Sequence, residues 1–351
     1  MAKLLLVVPK LWPHSMAIKS PSSGRKNLKG LLLPKIARLG LRNRPNWNQL
    51  LEDISGIANA AQSAAIYWLG ETTDSLPSWL CRADPLHLRT AGGGLIAIPP
   101  NDDELTLEEA QTLVQALNQC LASTTYQLVI KTATHWYMTG EEALDLPVVP
   151  NSESLRGRFI DNSPFREPRF TGAQQLRTEL EMCLFDQAWN KQQEQADKAP
   201  INGVWFWGGV AGYQPATACR RFQIYADAPL IKGCARAGRQ SIDTLPQKLD
   251  PRLITHCKTG ADLLFYIDTV FQNVHDVKQW TQQAEVLDRN WLRPAWQALQ
   301  SGLVSELLLI DPGCLMLQCS HQQSRRWWRR WWRIWSTNSL FSSQLTETST
   351  C

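Results

Sequence analysis

The chain has 351 residues, of which 44% are hydrophobic and 19% charged, and its formal net charge is +4. This length favours two domains, and the composition is that of a folded globular protein rather than a disordered one. Of the net charge of +4, Arg325–Arg333 alone carries +5, which leaves −1 for the rest of the chain. A nearly neutral body argues against nucleic acid as the main partner, because such proteins need a broad basic face.

The cysteines and the first residues predict a cytoplasmic protein. Nine cysteines form no CxxC pair and are odd in number, which is typical of free thiols in a reducing compartment. The apolar run Leu4–Val8 ends at Pro9 and is too short for a signal peptide, so it predicts a buried strand. No stretch approaches the roughly 20 apolar residues of a membrane span.

Hydrophobic patterning predicts alternating strands and helices along the chain. Thr106 and Glu109 have the spacing of a capping box, which marks the start of a helix. Residues 150–172, rich in Pro, Ser, Gly and Asn, read as a crossover. The other elements, in chain order, are strand 3–8, helix 31–39 closed by Gly40, helix 47–65, extended segments in 78–98, strand 126–132, helix 173–195, strand 201–210, strand 263–268, helix 277–300 and strand 305–311.

Several of these strands are apolar at nearly every position, without alternating polar residues, and helices separate them. This pattern indicates a parallel sheet covered by helices on both faces. In such sheets the functional site lies beyond the carboxyl ends of the strands. The candidates there are Asp268, His275, Asp276 and Asp311, which could form a sparse metal site. The alternative is that the aspartates are cap or turn residues, which bond their own loop backbone.

A second candidate site is the segment "CRADPLHLR". Arg82, Asp84, His87 and Arg89 alternate with apolar residues, and we expect these polar groups on one face of an extended segment. The two arginines could then bind a small phosphate or carboxylate bidentately. The alternative is a solvated edge strand with an internal salt bridge. His135, beside Trp136, is assigned to the end of a strand.

Two segments carry a resemblance to a known family. "LCRADPLHLR" with "LTLEEAQTLVQALN", and "LFDQAWNKQQEQADKAPINGVWFWGG", resemble the archaeal-type cofactor-independent phosphoglycerate mutases of the alkaline-phosphatase-like superfamily. More closely, the chain resembles a proteobacterial branch of RpfE-type regulatory, phosphoglycerate-mutase-like proteins, whose members carry a C-terminal "LWRFWRR". The similarity covers roughly residues 3–335.

This resemblance implies the domain organisation. A phosphatase-like α/β domain, with a mostly parallel sheet flanked by helices, would comprise 1–77 and 173–335. A smaller inserted α/β lobe, 78–172, would grip the substrate, and 336–351 would be a flexible tail. Asn202, Gly208 and Gly209, from "INGVWFWGG", would join the residues of "CRADPLHLR" in binding a small anion.

The catalytic residues of the active mutases, two metal sites and a serine nucleophile, are mostly absent here. Their first strand ends in Asp-Gly, whereas here Val8 is followed by Pro9, and no Gly-Ser-Asp segment follows Gly40. Their Asp-x-x-x-His pair becomes Phe271 and His275, and the final Gly-Asp-His ends in Asp311 and a proline. Losing ligands and nucleophile together would remove metal-assisted phosphoryl transfer.

The resemblance therefore implies a catalytically degenerate cytoplasmic protein with a regulatory role. It would bind a small phosphorylated or carboxylate ligand and need no metal or other cofactor. The alternative is an active phosphoglycerate mutase or phosphohydrolase, with Mn or Zn held by the unconventional set Asp268, His275, Asp276 and Asp311.

Residues 325–335 alternate pairs of Arg and Trp. In a helix the five indoles would cover an arc of about 140° and the arginines most of the rest. We expect a terminal helix whose indoles pack on the body while the arginine stems extend outward. Contact with a membrane or an acidic partner is the second interpretation, and stacking on nucleic acid is the least favoured.

Overall fold

The computed structural model describes residues 2–12, 31–33, 36, 40–60, 63–101, 103–213, 220–256, 260–272, 274 and 276–325. The chain divides into two compact units. The first unit comprises Met1–Leu50, Cys219–Ala228 and Gln240–Cys351, and the second comprises Leu51–Ala218 and Pro229–Arg239. The family-type boundaries expected at 77/78 and 172/173 remain a prediction.

Strands and helices alternate along the described residues. The strands are β1 (Lys3–Val7), β2 (Leu41–Asn43), β3 (Trp79–Ala91), β4 (Gly94–Ile98), β5 (Tyr126–Ile130), β6 (Trp136–Gly140), β7 (Arg158–Phe159), β8 (Gly203–Ala211), β9 (Phe222–Tyr225), β10 (Ser241–Asp243), β11 (Asp262–Tyr266), β12 (Glu306–Asp311) and β13 (Leu315–Ser320). The α-helices are α1 (Trp47–Ser55), α2 (Ala64–Glu71), α3 (Leu107–Cys120), α4 (Thr171–Phe185), α5 (Ala188–Gln195), α6 (Pro229–Ala237), α7 (Pro251–Thr255), α8 (Val277–Leu287), α9 (Arg293–Ser301) and α10 (His321–Arg325).

The first unit is built on a seven-stranded sheet in the order β10-β9-β11-β1-β12-β13-β2. The five strands from β10 to β12 are parallel, β13 pairs antiparallel with β12, and β2 pairs antiparallel with β13. In β1, at the centre, Leu4, Leu5 and Leu6 are at most 2% exposed. Trp291 and Trp296, which follow α8, belong to the same apolar core. The predicted mixed α/β fold with a parallel-rich sheet and flanking helices is therefore confirmed.

The helix predicted over 277–300 is interrupted in the middle. Between α8 and α9, Asp288–Leu292 forms a single π-type turn. Pro294, the second residue of α9, has no N–H to donate to the preceding turn. A single π turn before a proline accommodates the lost hydrogen bond without ending the helix.

The second unit contains a separate six-stranded sheet. Its order is β5-β6-β3-β4-β7, with β8 paired antiparallel to β3. The prediction that β8 belongs to the parallel sheet was therefore wrong. The continuous apolar run in β8 has another cause. Val204 and Phe206 pack in one apolar core of this unit, and Trp205 and Trp207 pack in another.

Other local predictions had mixed outcomes. The capping box is present, because Glu109 N–H donates to Thr106 Oγ1 and Thr106 N–H donates to Glu109. The helix predicted over 47–65 is two helices, and Gly56 follows the first with a φ of 72°. The helix predicted over 31–39 lies largely outside the described residues, as does the Arg/Trp segment beyond Arg325. No described helix is both long and apolar enough to cross a bilayer.

Two of the cysteines expected to be free form a disulfide, Cys120–Cys183. These residues lie on α3 and α4, with Cα atoms 6.8 Å apart, within the range that a disulfide can bridge. Their separation of 63 residues explains why no CxxC-type spacing announced the pair. We expect mass spectrometry of a protease digest made without reduction to detect the Cys120 and Cys183 peptides joined by a disulfide. After reduction the two peptides should be detected separately. Free alkylated thiols at both positions in never-reduced protein would contradict this.

Candidate functional site

The second unit contains a partly open pocket of about 80 Å³. Parts of α2, β3 and β8, the loop before β6 and the loop around Ser152 form its wall. The lining residues are Tyr67, Arg82, Asp84, Pro85, Pro99, Pro100, Thr134, His135, Asn151, Ser152, Glu153 and Trp207. Aromatic and proline surfaces thus combine with converging charged and hydroxyl groups, which is the usual make-up of a small-molecule site.

Arg82 and Asp84 form a buried ion pair at this pocket. They lie two residues apart on β3 and therefore share a face. Nε and Nη2 of Arg82 donate to Oδ1 of Asp84 at 2.8 and 2.6 Å. Oδ2 of Asp84 accepts from Ser152 Oγ at 2.5 Å and from Trp207 Nε1 at 2.7 Å. Both oxygens of Asp84 are thereby satisfied, as a buried carboxylate requires.

Glu71, the last residue of α2, connects this ion pair to a histidine. Its Oε1 lies 2.6 Å from His135 Nδ1 and 3.4 Å from Arg82 Nη1. Its Oε2 accepts from the Tyr137 hydroxyl at 2.8 Å. Burial alone would raise the pKa of Glu71, but the hydrogen bond and charge of His135, the charge of Arg82 and the Tyr137 hydrogen bond outweigh it and lower that pKa. Glu71 is therefore a carboxylate at neutral pH.

The Arg82 guanidinium lies among three aromatic rings. Its central carbon is 4.9 Å from the ring centroid of Tyr137, 5.5 Å from that of Tyr67 and 5.6 Å from that of Trp207. Burial would lower the pKa of Arg82, but nearby Asp84, Tyr137 and Glu71 raise it on balance. Arg82 is therefore a permanent cation stabilised by carboxylates and ring faces together.

His135 is the most accessible member of the cluster formed by Glu71, Arg82, Asp84 and His135. Its side chain is 34% exposed, whereas that of Glu71 is 4% exposed. Nδ1 is engaged by Glu71, and no residue in the described part of the chain bonds Nε2. This leaves one ring nitrogen of a pocket-lining imidazole for a ligand. The tautomer with hydrogen on Nδ1 follows from the Glu71 contact.

The remaining residues of the predicted anion site do not line this pocket. His87 Nδ1 lies 3.0 Å from the Pro200 carbonyl, and Arg89 is exposed beyond it on β3. Alternate residues of a strand point to opposite faces of the sheet, and residues 82 and 84 are even-numbered whereas 87 and 89 are odd-numbered. The expectation that all four share one face was therefore wrong. Asn202 extends the β3–β8 pairing instead, with its side chain bonded to both backbone groups of Leu88.

Gly208 and Gly209, also expected at the anion site, lie inside β8 rather than in a loop after it. Gly208 has a φ of 67°, a conformation that favours glycine. A Cβ on Gly209 would come within 2.9 Å of Leu146 Cδ1. Neither glycine lines the pocket. Gly208 allows the backbone conformation of β8 at this point, and Gly209 allows Leu146 to pack closely on the strand.

The strand-end residues of the first unit make the contacts of cap and turn residues. Asp311 is 2% exposed, and its carboxylate accepts from the N–H groups of Trp12 at 2.9 Å and Gly313 at 3.4 Å. Asp276 caps α8 by accepting from Gln279 N–H. Asp268 is half-buried just after β11, and His275 lies outside the described residues. Among the residues described, no cluster of three or more His, Cys, Asp or Glu could hold a metal ion.

Comparisons with known proteins give only distant likenesses. No family model matches the chain, and no curated protein does. The chain is similar to a cofactor-independent phosphoglycerate mutase from Thermoplasma acidophilum, with 15% identity, a TM-score of 0.47 and coverage of 91% of this chain and 89% of that one. It is also similar to a protein from Pyrococcus horikoshii, with 12% identity, a TM-score of 0.49 and coverage of 91% and 87%. At these values neither likeness bears on function.

Proposed function

We propose that the chain binds a small phosphorylated or carboxylate ligand in the pocket of the second unit and acts as a regulatory protein without phosphoryl-transfer activity. The observation that carries this proposal is the buried ion network that ends at an accessible imidazole. Buried charges lower stability unless they are fully paired, and ordered charged networks in a cleft are typical of functional sites.

The size of the pocket fits such a ligand. A water molecule needs about 10–15 Å³ of cavity, and the pocket has a volume of about 80 Å³. There is therefore space for about five or more non-hydrogen atoms. A phosphate or a small carboxylate has this size, and a longer ligand would extend through the open side.

The absence of catalysis is supported by the contacts of two of the candidate metal residues. In the first unit, Asp276 and Asp311 use their carboxylates on backbone N–H groups. Pro312 stands where the resemblance implies a metal-binding imidazole, and proline offers no ligand atom on its side chain. A two-metal phosphoryl-transfer site needs several carboxylate and imidazole ligands at one point.

The alternative function is an active phosphoglycerate mutase or phosphohydrolase that uses Mn or Zn. One observation favours it: β11 and β12 both pair in parallel with β1, so Asp268, just after β11, and Asp311, the last residue of β12, lie at carboxyl ends on the same edge of the sheet. With His275 and Asp276 they would form the metal site.

One experiment separates the two functions. The protein is incubated with Mn²⁺ or Zn²⁺, dialysed and analysed for bound metal, turnover of 3-phosphoglycerate and calorimetric binding of 3-phosphoglycerate. We expect saturable binding without turnover and without tightly held metal. Two equivalents of retained metal with interconversion of 3- and 2-phosphoglycerate would overturn the proposal, and loss of that turnover in Asp311→Ala would establish the alternative.

A further inference from the structure

His135 lines the pocket and has one ring nitrogen, Nε2, that no residue in the described part of the chain bonds. Its Nδ1 lies 2.6 Å from a carboxylate that is itself fixed by Tyr137 and Arg82. Such a contact fixes both the orientation of the ring and the nitrogen that carries the first proton. The opposite nitrogen, Nε2, is then presented in a defined direction on an accessible ring.

The charges around the ring favour a proton on Nε2 when an anion is present. Asp84 and Glu71 supply two carboxylates, whereas Arg82 supplies one guanidinium. An imidazolium at His135 makes the numbers of positive and negative charges in this cluster equal, and it would lie 2.6 Å from the Glu71 carboxylate, which favours the charged ring. Anion binding at Nε2–H would add a charge-assisted hydrogen bond.

Arg82 is poorly placed to bind the ligand itself. It is 2% exposed, and its Nε, Nη1 and Nη2 atoms already donate to Asp84, Glu71 and Tyr137. Its role toward the ligand is to hold Glu71, which in turn holds the imidazole. Arg82 and Glu71 are thus positioning residues.

We propose that the imidazolium of His135 is the anion-binding group of the pocket, with Nδ1–H donating to Glu71 and Nε2–H donating to an anionic oxygen of the ligand. This inference rests on the proposed function and deepens it. It replaces the arginine pair expected from the sequence by a single histidine. The ligand class is a small oxyanion, either a phosphate monoester or a carboxylate.

Several titratable or charged groups lie on the segments that form the pocket. Asp74 and Lys131 pair with each other, as do Glu153 and Arg156. Burial raises the pKa of Tyr67 and of Tyr137, which keeps both hydroxyls neutral. The full set is Tyr67, Glu71, Asp74, Arg82, Asp84, Lys131, Tyr137, Glu153 and Arg156.

Sulfate titrations of the whole protein at pH 6.0 and pH 8.5 test the inference. Sulfate remains a dianion over this range, whereas an imidazole side chain loses its proton. We expect sulfate to bind at least about tenfold more tightly at pH 6.0, because the charged donor is lost at the higher pH. Isothermal calorimetry measures both affinities.

His135→Gln keeps a hydrogen-bond donor but removes the positive charge proposed for the ring. We expect sulfate affinity at pH 6.0 to fall about tenfold or more and the pH dependence to disappear. His87→Gln is the matched control, because His87 is a half-buried histidine of the same unit whose ring contacts the Pro200 carbonyl outside the pocket. It should retain the affinity and pH dependence of the wild-type protein.

Glu71→Gln tests the positioning role through the ring tautomer. At pH 8.5 the 15N spectrum of the wild-type protein should show His135 protonated on Nδ1, and the variant should show a mixture of tautomers. Unchanged sulfate affinity between the two pH values, or in His135→Gln, would overturn the inference while anion binding in the pocket stands. If wild-type protein binds neither sulfate nor 3-phosphoglycerate at either pH, the proposed function itself is wrong.

Discussion

Replacing Gly233 by alanine is expected to lower the free energy of unfolding by about 3 kcal/mol or more. Gly233 lies in the middle of α6, where a Cβ would come within 1.7 Å of the Ile66 carbonyl oxygen on α2. The contact is reciprocal, because a Cβ on Gly70 of α2 would come within 1.9 Å of the Pro229 carbonyl oxygen. Backbone atoms cannot rotate away as a side chain can, so the helices would have to separate. Urea denaturation followed by tryptophan fluorescence measures the loss.

The control for this prediction is Gly172→Ala in the first turn of α4. The nearest atom to a Cβ there is Leu144 Cδ1 at 3.5 Å, which is ordinary van der Waals contact. Alanine has the higher helix propensity, so we expect stability unchanged or raised by up to about 1 kcal/mol. A Gly233→Ala variant as stable as Gly172→Ala would show that α2 and α6 do not cross this closely.

Replacing Arg82 by methionine is expected to destabilise the protein by about 3–5 kcal/mol. The substitution keeps much of the side-chain volume but leaves the carboxylates of Asp84 and Glu71 buried without their shared cation. A buried ion pair contributes little net stability, yet the loss of one partner is costly because the other charge stays desolvated. The cost should shrink at acid pH, where the carboxylates can take up protons. Urea denaturation at pH 7 and pH 4.5 measures both effects.

Arg89→Met is the matched control, since Arg89 lies on the same strand but is exposed. We expect its free energy of unfolding to change by less than about 0.5 kcal/mol. The double variant Arg82→Met with Asp84→Leu removes both charges of the closest pair and should recover part of the loss. Equal stability of Arg82→Met and Arg89→Met would contradict the buried network.

Local signals predicted the elements whose determinants are adjacent in sequence. The Thr106–Glu109 capping box requires only residues three apart, and it is present. The buried strands β1 and β12 followed from continuous apolar runs, which indicate burial on both faces of a sheet. The break between α1 and α2 was missed because Gly56 interrupts an apolar pattern that continues on both sides.

The placement of β8 shows where such patterns are ambiguous. The run "VWFWGG" is apolar at every position, which is typical of a parallel central strand. In the second unit, an antiparallel strand between two apolar cores has the same signature, with Phe206 packed in one core and Trp207 in the other. The pattern reports burial on both faces but not strand direction.

The candidate site was half predicted. The salt bridge between Arg82 and Asp84 was one of two interpretations of "CRADPLHLR", and strand parity explains why those two meet while His87 and Arg89 do not join them. Glu71 and His135 were missed because their partners are distant in sequence: 64 residues separate them. No local motif marks either residue, and only the antiparallel pairing of β3 with β6 brings Arg82 opposite Tyr137 and beside this pair.

The central claim is that His135 binds a small oxyanion in the pocket of the second unit. Its most direct test follows the ring-nitrogen 15N signals of His135 at pH 6.0 while sulfate is added to the wild-type protein. We predict a protonated Nε2 whose signal moves in a saturable manner, with the His87 signals unchanged. A His135 Nε2 signal that stays fixed while sulfate binds elsewhere, or while no binding occurs, would contradict the claim.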